Sequence, residues 1–199
     1  MKVLVATSNR GKISEISQIL FHTGITIITP QEAGLELNIE ENGNTFEENA
    51  IFKALAWQGA SGYPSLADDS GLCVDALDGR PGVHTARFAG PWASDKENYE
   101  LLLKLMEGIR DRKAHFTCVV ALAISKDRVI TATGRCEGVI LHEPIGEGGF
   151  GYDPIFLDPG TGKSFAQLTN DEKNTHSHRS RALVALKQKL KKQGLIHAL

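Results

Sequence analysis

No stretch of this sequence is long and apolar enough to cross a bilayer. The longest aliphatic run, residues 119–124, falls far short of the ~20 residues that a spanning helix needs. The opening apolar run, residues 3–6, is broken at once by Thr7, Ser8 and Asn9, too short for the core of a signal peptide. These absences predict a soluble, cytoplasmic protein with no membrane partner. Cysteine is scarce: Cys73, Cys118 and Cys136 are odd in number and form no CxxC pair, which argues against a disulfide framework and a zinc finger. No HExxH spacing occurs, so no zinc site is expected. Positive charge is not in excess either. A formal net charge of -2 leaves no broad basic field of the kind that nucleic-acid binders use, so no nucleic acid is expected as partner and any phosphate must be gripped locally.

What remains is an ordinary globular composition, 41% hydrophobic and 23% charged, in a chain of 199 residues. That length suits one core, or two lobes sharing a sheet, better than two independent domains. Residues 2–7 form a near-continuous apolar run, as expected of a strand covered on both faces. After the polar turn 8–11, Ile13, Ile16, Ile19 and Leu20 recur at helical spacing and predict a helix over 12–22; residues 25–29 before Pro30 predict a second strand. Thr45 and Glu48 match a capping box opening a helix to about residue 59, and Ser94 with Glu97 matches another opening a helix over 94–106. A short strand is expected at 64–67, ending in a Ser70–Gly71 turn. Residues 114–125 and 129–140 read as a hairpin, and 177–193 as a final helix closed by Gly194. The expected fold is α/β, with a long central mixed sheet flanked by helices.

Four constellations carry chemistry. The first, Thr7-Ser8-Asn9-Arg10-Gly11-Lys12, lies where a buried strand gives way to a helix. The positive end of the helix dipole favours an anion at such a junction, and Lys12 adds a full charge. It lacks the first glycine of a Walker A loop, and an ordinary capped β–α turn would look similar. The second is acidic: Glu40 and Glu41 in a connection, and Asp68 and Asp69 at the expected strand end. Mg²⁺ takes oxygen ligands and often only one or two carboxylates beside substrate phosphates, so a sparse acidic set suits it; solvated turn carboxylates are the plain alternative. Lys53 shares a helix face with Asn49, four residues before it, and both could look into a cleft.

The third is Gly146-Glu147-Gly148-Gly149-Phe150-Gly151-Tyr152-Asp153. Its glycines suggest close approach to the backbone, and an extended conformation would put Phe150 and Tyr152 on one face, ready to stack on a base. The fourth is Lys173 with His178 and Arg179 in the first turn of the last helix. The dipole disfavours cations there, so a compensating anion or base is expected.

Taken in order, T-S-N-R-G-K at 7–12, E-E-N-G-N-T-F-E-E-N-A at 40–50, A-D-D-S-G-L at 67–72, P-G-V-H-T-A-R at 81–87, G-G-F-G-Y-D-P at 148–154 and E-K-N-T-H-S-H-R at 172–179 span almost the whole chain. This set resembles the Ham1-like, inosine triphosphate pyrophosphatase family, close to the bacterial dITP/XTP pyrophosphatases. The resemblance implies a single 1–199 domain with two lobes enclosing an active-site cleft, a homodimer, and hydrolysis of ITP, dITP and XTP to the monophosphate and pyrophosphate. It implies triphosphate contacts from Thr7, Ser8, Asn9, Arg10, Gly11 and Lys12, and Mg²⁺ at Glu40 or Glu41 with Asp69. It also implies a catalytic set of Asp69 as base, Lys53 and Asp68. Ser70, Phe150, Gly151, Tyr152, Asp153, Lys173, His178 and Arg179 would bind nucleotide. His84 and Phe88 stand where relatives often carry tyrosine.

A 6-oxo purine offers an acceptor where adenine offers a donor, so donors such as Arg179 or main-chain N–H groups would reject ATP. Two other readings compete. One is a Maf-type pyrophosphatase acting on pyrimidine or modified nucleotides. The other is a non-catalytic nucleotide- or RNA-binding module, against which Asp68 and Asp69 argue, because without a metal they would repel a polyanion.

Overall fold

The computed structural model describes residues 1–21 and 23–196. The predicted helix end at His22 and the side chain of Arg10, a predicted triphosphate contact, lie outside the described residues, as do the side chain of Asn170 and residues 197–199. The strands are β1 (Lys2–Val5), β2 (Thr26–Ile28), β3 (Ser65–Val74), β4 (Lys113–Ser125), β5 (Arg128–Ile140), β6 (Phe156–Asp158) and β7 (Lys163–Ser164). The helices are α1 (Arg10–Leu20), α2 (Phe46–Ser61), α3 (Asp95–Leu105), α4 (Asn170–His176) and α5 (His178–Lys192). The strands hydrogen-bond in the order β2-β1-β3-β4-β5-β6-β7. β1 runs parallel to β2 and β3, whereas β5–β6 and β6–β7 are antiparallel, so the sheet is mixed as expected.

The helix starts follow local chemistry. Asn9 caps α1, its side chain accepting from the Lys12 N–H, and both expected capping boxes are formed, Thr45 with Glu48 and Ser94 with Glu97. α2 ends at Gly62, which takes the left-handed conformation open to glycine. α4 was not anticipated. It is a short helix with its own capping box, Thr169 with Glu172, and it leaves Ser177 as a single extended residue before α5.

The largest departure is β3. The expected strand ended before a Ser70–Gly71 turn, but β3 continues to Val74. β1 pairs with Ser65 and Leu66; farther along, β3 lies beside β4 in the sheet and the Leu72 N–H donates to Thr85 Oγ1 at 2.9 Å, and this long-range pairing outweighs the turn preference of Ser and Gly.

The chain divides into two compact units: Met1–Asp69 with Cys118–Gly134 and His178–Leu199, and Ser70–Thr117 with Arg135–Ser177. In the first unit Val3, Val5 and Leu66 on the sheet pack with Ile16 of α1 and Leu183 and Leu186 of α5. On the opposite face Ala50 and Ala54 of α2 meet Ala67, Ala121 and Ala123, and these small side chains bring helix and sheet close together. In the second unit Phe116, Phe156 and Phe165 form an aromatic centre with ring centroids 4.6 to 5.9 Å apart.

α5 lies directly on β5 at Gly134, where a Cβ would fall 2.2 Å from the His178 carbonyl oxygen and 2.3 Å from the Ala182 nitrogen. Gly134→Ala is expected to cost about 1–3 kcal/mol through this clash, read as a lower urea midpoint. An unchanged midpoint would show that helix and strand do not touch there.

Candidate active site

In the first unit the turn after β1 and the middle of β3 supply the charged groups. Asp68 and Asp69 do not share a turn. They alternate in mid-strand, Asp68 facing α1 and α5 with Leu66, and Asp69 facing α2 with Ala67. What unites them is cationic. Lys12 Nζ lies 3.0 Å from Asp68 Oδ2, and Lys53 Nζ donates to the Asp68 carbonyl oxygen at 2.6 Å while pairing with Glu41.

Asp68 is only 4% exposed. Burial alone would raise its pKa, but Lys12, Arg179 and Lys53 outweigh burial and hold the carboxyl well below the usual range. Asp69 moves the other way. Burial is the leading cause and the Glu41 charge adds to it, while Lys53, the Asn49 hydrogen bond and Lys12 oppose; the net shift is upward. Lys53 is held above its ordinary value: burial would lower it, but Glu41, Asp68 and Asp69 prevail. Two neighbouring aspartates are thus set apart, one firmly ionised and the other more ready to take a proton.

A hollow of about 570 Å³ in this unit is lined by Thr7, Ser8, Lys12, Glu41, Lys53 and Asp68, among others. Asn9 is partly spent locally: its Oδ1 caps Lys12, and its N–H donates to Thr7 Oγ1 at 3.2 Å. Of the two acidic residues left open by the sequence, Glu41 reaches this site through Lys53, whereas exposed Glu40 accepts from Asn42 Nδ2 and borders a different hollow. Among the described residues no three His, Cys, Asp or Glu side chains converge closely enough to hold a metal, so Glu40, Glu41 and Asp69 are not a preassembled triad. Glu41 and Asp69 could make a sparse oxygen set: the Glu41 charge adds to the cost of ionising Asp69, and a divalent cation held by both would relieve it.

In the first turn of α5, where a compensating anion or base is expected, Arg179 meets carboxylates of the protein. It is 1% exposed, with Nε 3.3 Å from Asp68 Oδ2 and Nη1 paired with Glu15. The anion that compensates a cation in the first turn of α5 therefore comes from the protein itself. His178 is buried beside it in sequence. Glu15 escaped the sequence reading; its spacing of three from Lys12 along α1 puts both on one helix face and was the available signal.

In the second unit Asp153 is the centre. It accepts from Lys173 Nζ at 2.6 Å and from the Phe150 N–H at 2.9 Å, and Lys173 Nζ sits 4.4 Å from the Phe150 ring centroid. Gly149 is required here, with φ +75° and a Cβ position 2.0 Å from Asp153 Oδ2. Phe150 and Tyr152 do not share a face, because the segment turns instead of extending. Phe150 is 36% exposed, whereas Tyr152 is buried in the aromatic core, its hydroxyl donating to the Thr85 carbonyl. Phe150 keeps its ring partly exposed beside the Lys173 ammonium. The Gly151 N–H donates to Asp95, and Ser70, half-buried on β3, belongs to this unit.

Fold and site define an α/β protein with a strand–turn–helix junction flanked by lysines and carboxylates. The chain belongs to the Ham1 family, whose model matches residues 3–189. It is 49% identical over 185 residues to a protein of Desulforamulus reducens named dITP/XTP pyrophosphatase, covering 92% of this chain and 92% of the relative. Among solved structures it is similar to the Staphylococcus aureus Ham1 protein, with a TM-score of 0.88 at 38% identity over 97% of this chain and 100% of that one. A HAM1 protein from Coxiella burnetii gives a TM-score of 0.89 at 40% identity, over 96% and 99%.

Asp68 makes the acid stability of the chain predictable in sign. With its folded pKa depressed, its contribution is complete above the unfolded value of ~3.9 and is lost as pH falls through the folded value. Urea unfolding of the wild type and Asp68→Asn is expected to show a wild-type advantage near neutrality that shrinks on acidification. An advantage independent of pH would contradict the assignment.

Proposed function

We propose that this chain is a Mg²⁺-dependent pyrophosphatase that hydrolyses non-standard purine nucleoside triphosphates, dITP, XTP and ITP, to the monophosphate and pyrophosphate. Membership of the Ham1 family and relatives named dITP/XTP pyrophosphatase support the substrate class. The observation that carries the chemistry is that Lys12 and Lys53 gather at Asp68 beside Asp69 in one unit, the two carboxyls having opposite pKa shifts.

Water attacks the α-phosphorus, the bond from that phosphorus to the bridging oxygen of the β-phosphate breaks, and pyrophosphate leaves. Asp69, the carboxylate with the raised pKa, accepts the proton of the attacking water. Asp68 stays ionised and fixes the Lys12 ammonium, which with Lys53 and the amino end of α1 balances the phosphate charge. Mg²⁺ held by Glu41 and Asp69 would supply further neutralisation of phosphate oxygens and acidify water. In the second unit, Phe150 offers its exposed ring to the purine, backed by Lys173 and Asp153. The same reading takes the working form to be a homodimer acting on the nucleotide pool of the cytoplasm.

Asp69→Asn is expected to lower kcat for dITP by at least about 100-fold while nucleotide binding remains measurable by calorimetry. A variant that retains near wild-type turnover would remove Asp69 from the role of base.

A further inference from the structure

Asn49 joins two segments that the proposed site needs side by side. It lies one turn before Lys53 on α2 and is 2% exposed. Its Nδ2 donates to Asp69 Oδ2 at 2.9 Å, and its Oδ1 accepts from the Gly43 N–H at 2.8 Å. The polarity of the amide is fixed by these partners, since a carboxylate only accepts and a main-chain N–H only donates. Lys53 repeats the bridge one turn later, linking Glu41 to the Asp68 carbonyl oxygen. The start of α2 is tied to the same loop, the Asn44 and Thr45 N–H groups donating to the Glu48 carboxylate at 2.8 and 3.2 Å. The loop approaches this closely only because residue 43 is glycine: a Cβ there would lie 2.6 Å from Asn49 Oδ1.

We propose that Asn49 is a positioning residue which, by holding the Gly43 N–H with one end of its amide and Asp69 with the other, sets the spacing between Glu41 and Asp69. The inference rests on the reading of Glu41 and Asp69 as the divalent-cation ligands. Asn49 touches no substrate; it acts through the loop and the strand it connects. Without it, the tie from Glu41 to β3 would pass through Lys53, a cation that competes for the same carboxylate.

The test uses the full chain and two variants that break the link from opposite sides. Asn49→Leu keeps the bulk and removes both hydrogen bonds, whereas Gly43→Ala disturbs the contact from the loop and leaves the buried residue intact. Mn²⁺ binding followed by electron paramagnetic resonance gives a readout independent of turnover. Both variants, folded by circular dichroism, are expected to bind Mn²⁺ about 10- to 100-fold more weakly than the wild type. Their kcat for dITP should fall while KM stays within about threefold, and the double variant should lose no more than the worse single one, because one link is broken once. Mn²⁺ affinity and kcat within about twofold of wild type in both variants, or losses that add in the double variant, would overturn the role of Asn49. A wild-type chain that binds no Mn²⁺ would instead remove the metal reading on which the role rests.

Discussion

Asp68 is an aspartate in the middle of a sheet strand, almost fully withdrawn from water, and its charge has to be met where it stands. Three cations meet it, each from a different helix: Lys12 from α1, Lys53 from α2 and Arg179 from α5. The arrangement constrains the unit around it. α1 must begin close to the end of β1 for Lys12 to reach β3, and α5 must place Arg179 in its first turn. Arg179 in turn needs Glu15, whose carboxylate balances the part of the guanidinium that Asp68 does not. Removing Asp68 or Arg179 leaves buried charge short of a counterpart, so the set stands as a unit and not as independent pairs.

That network also shapes what the site can do. Lys12 is spread over a local carboxylate but keeps part of its side chain accessible, at 20%, so it is held in place without being sealed off. Asp69, on the next residue and the opposite face, escapes the same degree of neutralisation because Arg179 and Lys12 lie chiefly on the Asp68 side. Strand alternation therefore gives two adjacent carboxylates different acidities, the separation of roles that acid–base chemistry on phosphates calls for.

Much of this was legible in the sequence because it is local. The β-α-β opening, both capping boxes and the hairpin strands follow from apolar periodicity and from Ser, Thr and Glu at fixed offsets, and they stand within a few residues of where those signals put them. The site was legible as a set of residue types: Lys12, Lys53, Asp68, Asp69 and Glu41 come together in one unit, as Phe150, Asp153 and Lys173 do in the other. The misreadings came from interactions between distant residues. Ser70 and Gly71 carry turn chemistry, yet they lie within β3, which continues beside β4 to Val74. Tyr152 looked like a partner of Phe150, but the turn at Gly149 and Gly151 sends it into a core that gathers side chains from β3, α3, β4, β5, β6 and the segment after β7. Arg179 in the first turn of α5 calls for a compensating anion or base, and its anions, Asp68 and Glu15, lie 111 and 164 residues away in sequence. The spacing of Glu15 from Lys12 marks a shared helix face, but no local pattern ties either carboxylate to Arg179.

The account depends on these charges serving a triphosphate with a 6-oxo purine base. Pyrophosphate release from dITP, XTP, GTP and ATP, each with Mg²⁺ and with the ion chelated, tests that most directly. The expected result is Mg²⁺-dependent release with kcat/KM for dITP and XTP well above that for ATP and GTP. Turnover that prefers ATP, or that is indifferent to Mg²⁺, would contradict it.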